Sequence, residues 1–85
     1  MKKLDEYLID IGNKLTRLRL NSGYKSYESI ATKNNLSRMQ YWRIEKGKTN
    51  ITMKSLVSLL AIHDINMEDF FSKNFFREFP LLYNL

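Results

Sequence analysis

The sequence has 85 residues, of which 44% are apolar and 27% are charged, and these values are typical of one folded domain rather than of a disordered chain. It contains no cysteine and one histidine, which excludes disulfides and a thiolate metal site, and no apolar run approaches the ~20 residues of a membrane span. The net charge of +5 is concentrated in residues 11–54, where ten Lys or Arg residues stand against two acids, and this favours a polyanionic partner.

The sequence gives little support to an enzymatic function. It offers no metal-ligand cluster, no nucleophile paired with a base and no phosphate-binding loop. His63 has no paired carboxylates or hydroxyl nucleophile around it, so we expect it to be structural or exposed. The first residues are of mixed charge and lack the apolar core of a signal peptide. We therefore predict a cytoplasmic protein that is not an enzyme, binds no cofactor or metal and has no membrane partner.

The first predicted helix is amphipathic. Its apolar residues recur at spacings of 4, 3, 4 and 3, at Leu4, Leu8, Ile11, Leu15 and Leu18. This spacing lays one face of a helix on a core. We expect the helix to end near Asn21, with Gly23 as the break that follows it.

The next two predicted helices are short and close together. Residues 26–34 read as a helix capped by Ser26, and only Asn35 and Leu36 separate it from the next one. Asparagine tolerates the left-handed conformation that a tight turn between helices requires. Ala31 supplies the small side chain that two steeply crossing helices need where their backbones approach, and Ile30 with Leu36 would fill the angle between them. The pattern predicts a helix-turn-helix over about residues 26–47.

The third predicted helix runs between an N-cap at Ser37 and a closing glycine at Gly47. Tyr41 and Ile44 lie three apart and are expected to face the core. The other face carries long side chains with no evident need for burial: Arg38, Met39, Trp42 and Arg43. We expect Trp42 to be exposed, because burying it together with Tyr41 and Ile44 would require too wide an arc of the helix; the alternative is a core position.

Two further helices follow. One begins at Thr52, and its apolar residues at i, i+3, i+4 and i+7 are predicted to face the core: Met53, Leu56, Val57 and Leu60. Asn66 with Asp69 three residues later is a variant of the capping box, and it begins a short fifth helix that buries Met67 and Phe70.

The C-terminal segment, residues 72–85, is unusually apolar for a terminus. Half of its fourteen positions are apolar, and Pro80 interrupts any helix there. Such a segment either packs across its own domain or forms a dimer interface, and we favour the interface. We therefore divide the chain into a helix-turn-helix domain, residues 1–71, and an apolar extension, residues 72–85. The residues assigned to dimerisation are Phe75, Phe76, Phe79, Leu81 and Leu82, with Tyr83 and Leu85 completing the apolar set.

Over residues 11–71 the sequence resembles the Cro and lambda-repressor type (XRE type) of helix-turn-helix DNA-binding domains. The similarity lies in the order and spacing of six short stretches, namely Leu15–Arg19, Gly23–Tyr24, Ile30–Ala31, Asn35–Ser37, Glu45–Lys48 and Ile65–Phe71. The resemblance implies an all-α, five-helix lambda-repressor-like fold. It also implies that Arg19 pairs with Glu45 in the interior and ties the first helix to the third; the alternative is that both are exposed and unrelated.

The chain departs from the family pattern in three respects. One extra residue before Ala31 places Tyr27 where many members have a phosphate-contacting glutamine. Asn34 stands at a position that is usually aliphatic. Ile51 and Asp64 replace a frequent proline before the fourth helix and a frequent glycine after it. None of these changes removes the motif.

The function that the resemblance implies is sequence-specific binding to double-stranded DNA. In this docking mode the second helix of the motif lies in the major groove and the first crosses the phosphate backbone. Arg38 and Arg43 are expected to read guanine, and Met39 and Trp42 to contact thymine methyls or sugar edges. The residues expected to bind phosphates are Ser26, Tyr27, Ser37, Gln40, Lys46, Lys48 and Thr49. We predict a prokaryotic transcriptional regulator that acts as a homodimer on a palindromic operator.

An alternative from another class is a protein-interaction module. In that case the chain is an antitoxin-like protein whose aromatic C-terminal segment covers a partner protein, and DNA binding serves autoregulation or is absent. Charge alone is also compatible with a solvated basic surface. Lys46 could equally be a cation that stabilises the C-terminus of the helix.

Overall fold

The computed structural model describes residues 2–82, and their regular structure is entirely helical. The helices are α1 (Leu4–Asn21), α2 (Tyr27–Lys33), α3 (Arg38–Glu45), α4 (Met53–Ile62), α5 (Met67–Phe70) and α6 (Phe75–Glu78). The predicted all-α class is therefore confirmed. The count of five is wrong by one, because Pro80 prevents a helix only at its own position and just before it, which leaves room for the single turn of α6.

Local capping explains where most helices begin. The side chains of Ser26, Ser37, Thr52 and Asn66 each accept a hydrogen bond from the backbone N–H three residues later. The caps at Ser26, Ser37 and Asn66 are those that the sequence predicts. The turn between α2 and α3 depends on Asn35, whose φ of 60° lies in the left-handed region, and this also confirms the prediction. Asp64 adopts the same conformation after α4, with φ of 51°, and so performs the role of the glycine it replaces.

One core connects these helices. Its buried apolar residues are Leu15, Leu18, Ile30, Ala31, Tyr41, Ile44, Leu56, Leu59, Leu60, Ile65, Phe70 and Phe75. The predicted core positions of Tyr41 and Phe70 are confirmed, with exposures of 2% and 0%. Leu36 and Met67 are partly buried against this core, and Asn34 is half-buried with its side-chain amide donating to the carbonyl of Ile30.

Two predictions about which residues face the core were wrong. Leu4 is 59% exposed, because the first turns of α1 extend beyond the core that the rest of the helix covers. Met53 and Val57 are also exposed, and α4 buries Leu59 in their place. Either stripe on α4 satisfies a helical period, so only the packing of neighbouring helices selects the buried one.

The C-terminal segment packs on its own domain as far as the structure describes it. Phe75 is 1% exposed, so it belongs to the core and not to an intermolecular interface, which corrects its assignment. The ring of Phe79 stacks on it with a centroid distance of 5.0 Å, so Phe79 is also partly withdrawn from the surface. Phe76, Leu81 and Leu82 remain exposed. Tyr83 and Leu85 lie outside the described residues.

Polar side chains of α1 bind the backbone of this segment. Lys14 donates to the carbonyl of Phe70 and Arg17 to that of Phe79, both at 2.9 Å. The amide of Asn21 donates to Pro80 and accepts from the N–H of Leu82. At 100° per residue these three side chains lie on the side of α1 away from Gly12, which packs against α3. The segment therefore lies across α1 from α3. No helix within residues 2–82 has the length and apolarity needed to cross a membrane.

Candidate nucleic-acid interface

The outer face of α3 presents long side chains to solvent. Arg38, Met39, Gln40 and Arg43 are exposed, and Met39 reaches 59%. Trp42 is half-buried, which lies between the exposed position that we expected and the core alternative. The basic side chains of this face are free to meet an anion, because the ion pairs within residues 2–82 are Lys2–Asp10 and Arg19–Glu45.

The residues expected to bind phosphates lie around both ends of this face. Ser26 is half-buried and Ser37 is exposed; their hydroxyl oxygens accept the capping bonds, which leaves each hydroxyl hydrogen available to another acceptor. Tyr27 is partly buried against the core and lines a shallow cleft with Glu28, Arg38 and Met39. At the other end Lys46 and Lys48 are exposed and Thr49 is half-buried.

The chain leaves α3 through a Schellman motif. Gly47 has φ of 67°, its N–H donates to the carbonyl of Ile44, and the N–H of Lys48 donates to the carbonyl of Arg43 at 2.9 Å. The predicted closing role of Gly47 is therefore confirmed. This turn directs Lys48 back along the helix, and its Nζ lies 5.5 Å from the centroid of the Trp42 ring.

A buried ion pair fixes the inner end of α3. The Nε of Arg19 donates to a carboxylate oxygen of Glu45 at 2.8 Å, and the two side chains are 11% and 4% exposed. The expectation of an interior pair is confirmed, and the exposed alternative is excluded. The other carboxylate oxygen lies 3.1 Å from the hydroxyl of Thr16, which can donate its one hydrogen either to this oxygen or to the carbonyl of Gly12 at 2.9 Å. Arg19 also donates to the carbonyl of Tyr24. The pair thus links α1, α3 and the loop before α2.

Three features of this network could not be predicted from the sequence: the close approaches at Gly12 and Gly47, and the contact of Thr16 with Glu45. A Cβ atom built on Gly12 would lie 2.2 Å from the carbonyl oxygen of Glu45, so the glycine permits α1 and α3 to approach at this point. A Cβ on Gly47 would lie 2.9 Å from the Cα of Ile9, in addition to the strain of its positive φ. Helical spacing gave no sign of Gly12, because a glycine inside an amphipathic helix shows no partner. Thr16 likewise reads as an ordinary polar position.

Burial shifts the pKa of two ring-bearing groups near this network. It raises the pKa of Tyr41 far above the ordinary value, and the negative charge of Glu45 acts in the same direction. Burial lowers the pKa of His63, whose Nδ1 lies 2.9 Å from the hydroxyl of Ser22. His63 is half-buried, and the expectation that it is structural or exposed stays a prediction. Within residues 2–82 no three His, Asp or Glu side chains come together in a group that could hold a metal ion.

Comparison with known proteins identifies the family. The chain is 35% identical over 69 residues to the control protein C.MunI from Mycoplasma sp, a match that spans 81% of this chain and 93% of that protein. The chain belongs to the control-protein family. The control proteins of this type are small helix-turn-helix regulators, which agrees with the geometry of α2 and α3. No family model matches the chain, and no solved structure matches it.

Proposed function

We propose that this control protein is an XRE-type transcriptional regulator that binds a specific double-stranded DNA sequence. The observation that carries the proposal is the exposed face of α3, with basic residues at its C-terminal end. Arg38 and Arg43 take no part in the ion pairs of residues 2–82. An arginine on such a helix can donate two hydrogen bonds to guanine O6 and N7, which distinguishes that base pair in the major groove. The buried pair of Arg19 and Glu45 supports the proposal, because it holds this helix rigidly on α1.

The proposed contacts divide by role. Arg38, Arg43 and the exposed Met39 read base edges. Phosphates are bound by the surrounding polar and basic side chains, namely Ser26, Tyr27, Ser37, Gln40, Lys46, Lys48 and Thr49. Phosphate contacts set the orientation of the helix, whereas base contacts supply the preference for one sequence.

The operator would be palindromic and the protein a homodimer. One helix-turn-helix reads a short half-site, so a second copy about one DNA turn away is the usual source of adequate specificity. A two-fold interface needs a self-complementary apolar patch. Phe76, Leu81 and Leu82 offer exposed apolar surface for it, with exposures of 43%, 41% and 68%, and they lie across α1 from α3. We also propose that this interface lies in the apolar extension, residues 72–85, and that residues 1–71 bind DNA.

A selection of bound sites from random double-stranded DNA tests this function. We expect enrichment of one two-fold symmetric sequence, with affinity that falls as salt rises. Recovery of sequences without any common motif would contradict sequence-specific regulation. Arg43→Ala serves as the matched variant, because it should weaken binding by ~1–3 kcal/mol and relax the preference at one position in each half-site.

A second candidate function is binding of a partner protein through the C-terminal segment. The exposed Phe76 and Leu82 favour it, since exposed apolar side chains in one segment often mark a surface that another protein binds. This candidate predicts a stoichiometric complex with the product of a neighbouring gene. The regulator instead predicts salt-sensitive binding to the protein's own promoter, so co-purification and a promoter-binding assay distinguish the two.

A further inference from the structure

Trp42 is the residue of the α3 face whose surroundings fit base reading least well. Its side chain is half-buried, whereas Arg38, Met39 and Arg43 are exposed. Lys48 also lies over its ring, with Nζ 5.5 Å from the centroid. A ring face occupied by a lysine cannot at the same time lie flat against a thymine methyl or a sugar. The side chain therefore has a different neighbour from the one that base reading requires.

The position of Lys48 over this ring follows from the backbone. The Schellman motif fixes the backbone of Lys48, the residue after Gly47, because the N–H of Lys48 donates to the carbonyl of Arg43. The left-handed conformation of Gly47, with φ of 67°, turns the chain back towards the helix at this point. Lys48 thus starts from a defined direction, and the indole is the aromatic surface that it meets. An ammonium group within about 6 Å of an indole centroid is attracted by the ring quadrupole.

We infer that Trp42 is a positioning residue that holds the Lys48 ammonium at the DNA backbone, and that it does not read a base. The inference rests on the proposed function and deepens it. A free lysine side chain has four rotatable bonds, and ordering it on a phosphate opposes binding. Contact with Trp42 restricts that freedom before DNA arrives. The ammonium has three N–H donors, so those that point away from the ring stay available to a phosphate oxygen. Lys48 contributes a sequence-independent contact, and Trp42 acts through it.

Fluorescence tests the contact without DNA, because Trp42 is the only tryptophan of the chain. In Lys48→Ala the ring loses its cover, so quenching by acrylamide should become stronger than in the unmodified protein. Lys48→Arg should restore protection, since a guanidinium stacks on an indole at least as well. Lys73→Ala removes an exposed lysine from the opposite side of α1 and should leave quenching unchanged. Equal quenching in Lys48→Ala and in the unmodified protein would refute the contact.

A double-mutant cycle tests the role in binding. Trp42→Leu should weaken binding to the selected operator and to unrelated DNA by the same factor, about two- to fivefold, the value of a cation–π contact near a surface. In a Lys48→Ala background the same change should have no further effect. Lys48→Ala alone should make the slope of log K against log salt shallower by about 0.9. Trp42→Phe keeps an aromatic face and should lose less than Trp42→Leu.

Two outcomes separate this inference from the function on which it rests. A loss confined to one base-pair position, or an equal loss with and without Lys48, means that Trp42 reads DNA directly, and this would overturn the inference while leaving the regulator intact. No salt-sensitive DNA binding by the unmodified protein would overturn the proposed function and the positioning role together. Circular dichroism of each variant guards against misfolding, and Trp42→Phe carries the test if Trp42→Leu proves unstable.

Discussion

At the scale of single residues, Glu45 holds the proposed reading helix, because its buried carboxylate accepts from Arg19 on α1. Arg19→Met keeps much of the side-chain volume but strands that charge. We expect it to destabilise the fold by ~3–5 kcal/mol, as removal of one partner of a buried pair does. Urea denaturation measures the loss. Lys33→Met is the control, since its exposed lysine should change stability by no more than ~0.5 kcal/mol. A loss below ~1 kcal/mol for Arg19→Met would indicate a pair that behaves as exposed.

His63 gives a second residue-scale prediction, one of pH dependence. Burial lowers its pKa below the ordinary value of 6.5, although the negative charge of Glu45 opposes the shift. The unfolded chain therefore binds a proton at a higher pH than the folded one. The contribution of neutral His63 to the free energy of unfolding should be fully present above pH 6.5. It should decrease as the pH falls towards the folded pKa and level off below that pKa. Denaturation midpoints between about pH 7.5 and about pH 5 measure this, and His63→Gln should flatten the curve. If stability depends on pH in the same way in the unmodified protein and in His63→Gln, His63 is not the source of the pH dependence.

At the scale of helices, the approach of α1 to α3 depends on the missing side chain of Gly12. A Cβ there would lie 2.2 Å from one backbone oxygen and 2.9 Å from another, and backbone cannot move aside as a side chain can. Gly12→Ala should gain ~1 kcal/mol of helix propensity. Overpacking against two backbone oxygens should cost an amount near the upper end of ~1–3 kcal/mol, so we expect a net loss of ~1–2 kcal/mol. Asn13→Ala on the same helix is exposed and should cause no loss. Equal free energies of unfolding for both variants in urea would mean that α1 and α3 can move apart at this point without a loss of stability.

The same scale shows which features the sequence could predict. Helix starts were accessible because a cap is local: Ser26 and Ser37 need a backbone N–H only three residues away. The buried face of α4 was not accessible, because Val57 and Leu59 fit helical periods equally well and the choice depends on helices distant in the sequence. The Arg19–Glu45 pair, 26 residues apart, was reached through family resemblance and not through spacing. Gly12 had no local signal at all.

At the scale of the whole molecule, the C-terminal segment contains buried and exposed apolar residues that the sequence could not tell apart. Apolar content alone is compatible with a core and with an interface. The structure places Phe75 in the core and leaves Phe76, Leu81 and Leu82 exposed. A chain that ends at Ser72 therefore loses a core phenylalanine, and we expect it to be destabilised by ~3–5 kcal/mol, the usual loss for emptying such a site. Urea denaturation checks this; a truncated chain as stable as the full one would contradict the core position of Phe75.

A chain that ends at Phe79 separates assembly from folding. It retains Phe75 and Phe79 in place on α1 and loses the contacts of Asn21 with Pro80 and Leu82, so we expect a folded protein that is destabilised by only ~1–2 kcal/mol. If the exposed leucines form the two-fold interface, this chain should sediment as a monomer, bind DNA weakly in a salt-sensitive manner and lose tight binding to a palindrome. Leu81→Ser with Leu82→Ser in the full chain is the matched variant, because it leaves the backbone contacts of Asn21 in place and should show the same loss of dimer. A shortened chain that still dimerises would exclude the two leucines, and the exposed Phe76, which this chain retains, is then the next residue to change.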